Sequence, residues 1–564
     1  MFRKAEEDPI IPICKLGLYG TVAGALILPL TAAEANREEH ALLSAYVQAR
    51  AADSIGAVDR ASQGYATALA LAPQNEMLAA RALAQAVEAG DRELAVRSAR
   101  ILEKADLLAL DIRLLLLTEA LRTEDWSAAD RYIDGIAKDE IFAFMAPVMR
   151  AWVALETGKG DPLAIMTAAG NDPVAAAYVA EHRPLILLAQ GRKEGAAELL
   201  KVVDDEGGRA SRLRIAAAAT LHKQGDDKAA AALLEGDEAP IAAARRLLEA
   251  GKAIPGAIDG AKAGVAEFLV RIAIDLHRQN VTPLALTYAR LSTFLAPENS
   301  ETWLVTSELL AAREQRQEAL EVLTHVAPAD PFAGNAADGR IRLLAATGDN
   351  EAALAEARKA VETGPPSVGD WTRLGDLYGE LERPQDAAGA YGRAVAVAEA
   401  QGTKDGQWAL WLLRGGAFDQ AGNWPEAKAA LEAAYRLAPQ QPIVLNYLGY
   451  AQLERRENVE EAMRLIAEAS RLQPDSPEIT DSLGWAHYLR GNVAQAIPLL
   501  EKAVKGQPAD PAINEHLGDA YYSAGRHYEA RYAWEAALIY AEEEDAERLR
   551  AKIDAGLTPK LASP

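Results

Sequence analysis

Small and apolar positions recur among polar ones along the C-terminal half of the chain, at intervals close to 34 residues. The glycines Gly415, Gly449, Gly484 and Gly518 are separated by 34, 35 and 34 residues. A repeat of this length corresponds to two helices joined by a turn, so the pattern predicts a stacked array of helical hairpins. The residues that keep the same interval are Ala427, Ala462, Ala496, Ala530, Ala434, Ala469, Ala503, Ala537, Pro439, Pro474 and Pro508.

One hairpin can be followed residue by residue across positions 476–508. Ser476 is suited to the N-cap of a first helix, and Gly491 is suited to the left-handed turn that ends it. Ala496 and Ala503 lie seven positions apart on the second helix and therefore share one face. Glycine within a helix costs roughly 1 kcal/mol relative to alanine. Its recurrence in the same position of each first helix therefore predicts a close approach between the two helices.

A further repeat begins with a tryptophan and continues with a Leu-Gly pair, two tyrosines and two alanines at fixed offsets. These residues are Trp371, Leu374, Gly375, Tyr378, Ala387, Tyr391 and Ala394. In this pattern the chain resembles the tetratricopeptide repeat (TPR) family, although Glu399 stands where that family has a closing proline. The resemblance implies an all-α fold, a right-handed superhelical solenoid of TPR-type hairpins. It also implies a non-enzymatic scaffold that binds a peptide segment or partner protein in a concave groove.

The same rhythm continues in the N-terminal half with fewer signature residues. Gly158, Gly191 and Gly225 are 33 and 34 residues apart, and each precedes an apolar residue by five positions. We therefore expect a degenerate TPR-like array over residues 36–250, followed by an irregular Pro- and Gly-rich joint at 251–264. A second TPR array is expected over residues 265–541. A charged capping helix and tail are expected at 542–564, because a solenoid needs a polar helix over its last apolar face.

The N-terminus contains an apolar run of fifteen residues, from Leu16 to Leu30. This length fits the apolar core of a signal peptide and falls short of the ~20 residues of a membrane span. Residues 1–35 are therefore expected to be a signal peptide or an N-terminal membrane anchor. The expected location is the periplasm or cell envelope, with anchoring in the inner membrane as the alternative. Cys14 is the only cysteine, so a disulfide within the chain is excluded.

Composition narrows the classes of partner. The 564 residues carry a formal net charge of -23, which argues against nucleic acid because phosphates require clusters of Lys and Arg. Neither an HExxH motif nor a Cys-rich metal spacing nor a G-x-S-x-G elbow occurs in the sequence. We therefore expect no enzymatic activity, no catalytic residues, no metal site and no cofactor.

Candidate binding residues follow from the resemblance, because first helices line the inner surface of TPR arrays at fixed offsets from the glycine. The resulting strip combines aromatic rings with carboxylates, which suits a neutral or basic peptide segment. Simple packing of the aromatic rings between neighbouring repeats is the alternative. The expected peptide-binding residues are Asn446, Tyr450, Asp481, Trp485, Tyr488, Glu515, Asp519 and Tyr522.

Two other functions stay open at the level of sequence. The protein is alternatively an accessory factor for envelope assembly, secretion or outer-membrane biogenesis, or a regulatory subunit of an enzyme complex. Self-association through uncovered ends of the array is also left open. The sequence does not identify the protein partner.

Overall fold

The computed structural model describes residues 32–170, 172–203, 208–236, 238–362, 366–402 and 406–562, which are entirely helical apart from turns and loops. Across these ranges there are thirty α-helices and one short 3₁₀ helix, Leu323–His325, and no strand. The prediction of an all-α fold is confirmed. The helices are α1 Ala32–Ser54, α2 Val58–Leu71, α3 Glu76–Ala89, α4 Arg92–Lys104, α5 Leu110–Arg122, α6 Trp126–Ile136, α7 Met145–Thr157, α8 Pro162–Ala169, α9 Ala176–Ala189, α10 Glu194–Val202, α11 Gly208–Lys223, α12 Asp227–Leu233, α13 Ala239–Glu249, α14 Ala261–Arg278, α15 Thr282–Leu295, α16 Ser300–Ala312, α17 Arg316–Val322, α18 Ala333–Ala346, α19 Asn350–Glu362, α20 Val368–Glu380, α21 Pro384–Ala400, α22 Gln407–Gln420, α23 Trp424–Leu437, α24 Pro442–Glu454, α25 Val459–Leu472, α26 Pro477–Leu489, α27 Val493–Gly506, α28 Pro511–Ser523, α29 His527–Tyr540 and α30 Glu543–Ala555.

The helices pack in chain order, which is the arrangement of a solenoid. The described residues up to Ala146 form one compact unit, in which each helix from α1 to α5 contacts the one that follows it. The residues from Pro147 onward form a second unit. Within it, hairpins such as α24–α25 and α26–α27 stack so that α24 contacts α26 and α26 contacts α28. Each repeat therefore buries its apolar face against its neighbours.

The repeated glycines lie where the two helices of a hairpin come closest. A Cβ atom on Gly484 would stand 2.8 Å from Leu500 Cγ, and one on Gly449 would stand 2.8 Å from Ile466 Cγ1. At Gly518 the corresponding distance to Trp534 Cδ1 is 2.4 Å. Because real Cβ atoms are not found at such distances, only glycine fits, and the packing reason predicted for its recurrence is confirmed.

Helix ends are formed by the residues that the pattern predicts. The Ser476 hydroxyl accepts a hydrogen bond from the Ile479 amide at 3.2 Å, as expected of an N-cap. Gly491 has φ +78°, which is the left-handed conformation that glycine adopts without strain. These local features fix the register in which α26 and α27 fold back on each other.

The loop after α13 alters how the helices of the second unit pack. The irregular segment ends at Gly260, and residues 261–264 already belong to α14. Glu156 accepts a hydrogen bond from the Ala261 amide at 3.2 Å, and a Cβ on Gly264 would stand 2.1 Å from the Trp152 ring. As a result α14 packs against α9 as well as α16. The loop therefore brings together helices that a regular array would keep apart.

Among the residues that the structure describes, no helix combines the length and the apolar character needed to cross a bilayer. The apolar run from Leu16 to Leu30 lies outside the described residues, so the expected signal peptide or anchor stays a prediction.

Candidate functional site

The predicted binding residues lie on the first helices of three successive hairpins. Helix α24 carries Asn446 and Tyr450, whereas α26 and α28 carry the remaining six residues. The three helices are neighbours in the second unit. Burial divides the set: Asp481, Trp485, Glu515 and Asp519 are buried, whereas Asn446, Tyr450, Tyr488 and Tyr522 are partly exposed.

Helix α30 covers the α28 part of the predicted strip through a set of ionic contacts, which we name the Lys552 cluster (Glu515, Asp519, Arg548 and Lys552). The Lys552 side chain is 0% exposed, and its Nζ lies 2.6 Å from Glu515 Oε1 and 2.8 Å from Asp519 Oδ1. Arg548 donates two hydrogen bonds to Glu515, at 2.9 and 2.8 Å. Helix α30, Glu543–Ala555, lies in the segment for which the sequence predicts a charged capping helix.

The Lys552 cluster has a clear electrostatic consequence for Glu515. Burial alone would raise the pKa of this carboxyl, but the bonds from Arg548 and the charge of Lys552 outweigh burial and lower the pKa to about 2. Asp519 also accepts a hydrogen bond from Trp534 Nε1 at 2.9 Å. Both carboxylates thus hold α30 in place and are not available to a partner in this state.

Trp485 lies inside an aromatic stack between α26 and α28. Its ring is 4.6 Å from that of Tyr488 and 4.0 Å from that of His516, and it is 0% exposed. The His516 Nδ1 lies 2.9 Å from Asp481 Oδ2. Burial would lower the pKa of His516, but the adjacent Asp481 carboxylate raises it overall. For Trp485 and Asp481, the structure shows packing between repeats, the alternative given with the predicted strip.

A side chain on a first helix is exposed only if it points away from the first helix of the following repeat. The type of residue does not reveal in which direction its side chain points. Trp485 and Asp519 follow the repeat glycine directly and point toward the next helix in the stack, which buries them. The four buried residues therefore pack between repeats, which is the alternative that the sequence left open. Whether a peptide binds near the other four is not tested by their position and stays a prediction.

The first-helix surface away from α30 includes partly exposed residues on α22 and α24. Burial, followed by the nearby Glu454 and Asp481 carboxylates, raises the pKa of Tyr450. Burial likewise raises the pKa values of Glu454 and Asp419, although Arg455 partly offsets the shift at both. We name Asp419, Asn446, Tyr450 and Glu454 the tyrosine–carboxylate surface.

Asp419 and Glu454 were not among the predicted residues. Asp419 occupies the same offset from Gly415 as Tyr488 does from Gly484, so extending the family offsets by one repeat would have found it. Glu454 lies one position beyond the offsets that we used. Both carboxylates are half-buried, which means that their hydration is already reduced before a partner arrives.

A second ionic cluster, the arginine–glutamate cluster, joins four first helices near the irregular loop. Its centre is Glu267 on α14, which is 0% exposed and accepts hydrogen bonds from Arg209, from Arg212 at 3.0 Å and from Asn299 at 3.0 Å. Arg209 also donates to Glu301 and Glu181, at 2.8 Å each. These residues come from α9, α11, α14 and α16 or its N-cap, so the cluster connects helices that the loop brings together.

Charge in the arginine–glutamate cluster is distributed unequally between the two central carboxyls. Burial opposes ionisation of Glu267, but Arg212 and Arg209 outweigh it and lower the pKa. Burial raises the pKa of Glu301, and repulsion from Glu267 adds to the effect. No sequence motif marks this cluster because its members are far apart along the chain. The described residues contain no group of three or more His, Cys, Asp or Glu side chains able to hold a metal ion.

Comparison with known proteins agrees with the repeat pattern. A family model described as tetratricopeptide repeat matches residues 372–442, 412–477 and 482–546. No curated protein matches this chain in sequence. The chain therefore carries tetratricopeptide repeats in these segments, and repeats of this family generally bind proteins.

Several solved structures of helical repeat proteins also align with the chain. The APC/C hetero-tetramer Cut9–Hcn1 aligns over 93% of this chain and 97% of its own, with 15% identity and a TM-score of 0.36. Yeast Tom70 aligns over 92% and 96%, with 13% identity and a TM-score of 0.33. A thermophilic TPR protein of Thermus thermophilus aligns over 34% of this chain and 98% of its own, with 21% identity and a TM-score of 0.29.

Proposed function

We propose that this protein is a non-enzymatic scaffold that binds a neutral or basic segment of a partner protein on the tyrosine–carboxylate surface. The observation that carries the proposal is the partly buried Glu454 carboxylate, which interacts with Tyr450 and lies 3.7 Å from Arg455, the residue that pairs with Asp419. A cationic side chain of a partner would pair with Glu454, whose hydration is already reduced, so binding loses little solvation there. The Tyr450 ring supplies contact area at a low cost in side-chain entropy.

The position of α30 limits where the partner segment lies. Because α30 occupies the α28 end of the first-helix surface, the segment is expected to contact α22, α24 and α26. Tyr488 is partly exposed on α26 and donates to or accepts from Ser523 at 3.0 Å, so it marks the boundary of the open region.

A photo-crosslinking experiment tests the proposal in the native cell. Tyr450 is replaced by p-benzoylphenylalanine, and Tyr528, which is 79% exposed on the second helix α29, receives the same replacement as a control. We expect a covalent adduct with one protein from position 450 and none from position 528. Adducts of equal yield from both positions, or none from position 450, would overturn the proposal.

The charge requirement is tested with the partner identified by crosslinking. Glu454→Lys should weaken binding by about tenfold or more, because it replaces an attraction with a repulsion at a half-buried position. Glu535→Lys provides the matched control, since Glu535 is exposed on α29 and makes no ion pair within the described residues. Equal affinities of the two variants, measured by isothermal titration calorimetry, would contradict a carboxylate contact.

We further propose that the scaffold acts in the cell envelope. Support comes from the apolar run between Leu16 and Leu30 and from the small residues Ala33 and Ala35 that follow it. Fractionation combined with N-terminal sequencing of the native protein tests this. A cytoplasmic protein that retains its N-terminus would contradict it.

A further inference from the structure

A cleft on the first unit has a chemistry opposite to that of the tyrosine–carboxylate surface. It lies between the second helices of two successive hairpins, α2 and α4, and has a volume of about 490 Å³. Its charged lining consists of Arg97, Arg100 and Lys104 of α4, and no carboxylate lines it. Such a cleft is unexpected in a chain whose formal net charge is -23.

The three cations form a row along one helix. Arg97, Arg100 and Lys104 occupy positions i, i+3 and i+7, so they share one face of α4. With a rise of ~1.5 Å per residue, the row is about 10 Å long. Ala70 and Ile101 supply accessible apolar surface beside the row, and Pro73 lies at its edge. The lining thus combines aligned positive charge with an apolar contact.

Two of the cations are free to accept an external carboxylate. Arg97 and Lys104 are exposed, and in the described part of the chain neither makes an ion pair or a hydrogen bond through its side chain. Arg100 differs because it donates to Glu103 and to the Tyr132 hydroxyl, at 2.8 Å each. Tyr132 and Glu103 therefore fix Arg100 in the middle of the row, between two unpaired neighbours.

We propose that this cleft is a second docking site, and that its occupant is an acidic peptide segment of a partner protein with an apolar residue between its carboxylates. The inference rests on the proposed scaffold function and adds the chemistry of a second partner surface. Charge complementarity supports the acidic character, and the accessible apolar surface of Ala70 and Ile101 favours the apolar residue.

The shape of the cleft favours a peptide over the other anionic ligands. Arg97, Lys104 and Pro73 are exposed, so the cleft is open to solvent, whereas small ligands are normally bound with 70–90% of their surface buried. A row of three cations is short for a nucleic acid, and the excess negative charge of the chain opposes an anionic membrane. A peptide is able to extend beyond both ends of the cleft.

The test uses the full-length protein and two synthetic fluorescein-labelled peptides. One carries Glu at positions i, i+3 and i+7 around a central Leu, and the other carries Gln at the same positions. We expect the Glu peptide to bind at least about tenfold more tightly at low salt, and its affinity to fall as salt rises to physiological strength. Equal binding of the two peptides, or no binding of either, would overturn the proposal.

A charge-reversal pair locates the binding. The double variant Arg97→Glu with Lys104→Glu should abolish the preference for the Glu peptide. The matched control is Arg60→Glu with Lys138→Glu, which changes the net charge equally at two exposed residues of the same unit that have no ion-pair partner among the described residues. Equal losses in both double variants would indicate long-range charge alone and would contradict a defined site.

Vesicles containing phosphatidylserine provide the alternative ligand. Binding to these vesicles that is lost in the Arg97/Lys104 double variant, without binding of the Glu peptide, would replace the proposed occupant by a membrane surface. The crosslinking experiment at Tyr450 is independent of this cleft. If the Glu peptide does not bind but position 450 gives a crosslinked adduct, the cleft proposal fails and the scaffold function stands. If neither peptide binding nor an adduct is found, both proposals fail.

Discussion

Removing the ammonium group of Lys552 should release α30 from the end of the array. The Lys552 side chain is fully buried and lies within 2.8 Å of Asp519 and 2.6 Å of Glu515. In Lys552→Ala, Glu515 keeps its two bonds from Arg548, and Asp519 keeps the bond from Trp534. The Asp519 carboxylate nevertheless loses its buried cation.

The size of the effect follows from the cost of an uncompensated buried charge. Deleting one partner of a buried ion pair costs about 3–5 kcal/mol. The apolar contacts of α30 are made by Leu549, which is fully buried on Trp534 and Ala537, and by the partly buried Ile553. Full burial of one such side chain contributes roughly 1.5–3 kcal/mol. The loss is therefore comparable with the contribution of these apolar contacts, and α30 should open locally much more often while the preceding hairpins stay folded.

Native-state hydrogen exchange measures this opening directly. Amides of α30 should exchange on the order of a hundredfold faster or more in Lys552→Ala, with much smaller changes in α24 and α26. Arg550→Ala is the matched control, because Arg550 is exposed on the same helix and makes no ion pair within the described residues. If the two variants exchanged at similar rates, the ionic contacts of Lys552 would not be what holds α30.

Three further predictions concern packing and charge in the array. Gly518→Ala should destabilise the last hairpin by roughly 1–3 kcal/mol, because the added Cβ meets the Trp534 ring. Gly389→Ala is the control: a Cβ there has no atom within 4 Å, so the substitution should stabilise its helix by up to about 1 kcal/mol. Urea unfolding of the two variants measures both effects. Because the pKa of His516 is raised in the folded protein, its protonation contributes stability that is fully present below about pH 6.5 and is lost as the pH rises through the folded-state pKa. Hydrogen exchange of the α28 amides should become faster across this range. The His516→Gln variant should not show this pH dependence. Glu267→Gln should cost about 3–5 kcal/mol because it removes the buried carboxylate that accepts from Arg212 and Arg209 and leaves Arg212 only the Glu301 carboxylate, 3.8 Å away. An unchanged urea midpoint would contradict the role given to the arginine–glutamate cluster.

The local part of the fold was predictable from the sequence because the repeat encodes it. Gly484 and Leu500 face each other within one hairpin, and their spacing recurs in the neighbouring copies, so pattern alone identifies the contact. The capping helix was likewise predictable, because a polar stretch follows the last repeat. In each case the decisive contacts join residues of one hairpin or of adjacent helices.

The exposure of the candidate site was not predictable in the same way. Family offsets place Trp485 on the first helix correctly, but its burial depends on His516 in the next repeat, where the packed side chain differs from repeat to repeat. The arginine–glutamate cluster depends on the path of the loop before α14, which brings Glu267 to Arg209. Contacts over such sequence distances follow from the geometry of the loop and leave no local signature.

The most direct test of the scaffold account is a hydrogen-exchange footprint of the complex with the partner that Tyr450 crosslinks. The account predicts added protection in α22, α24 and α26, with α29 and α30 unchanged. Protection confined to second helices such as α25 and α27, or no protection in α24, would contradict it.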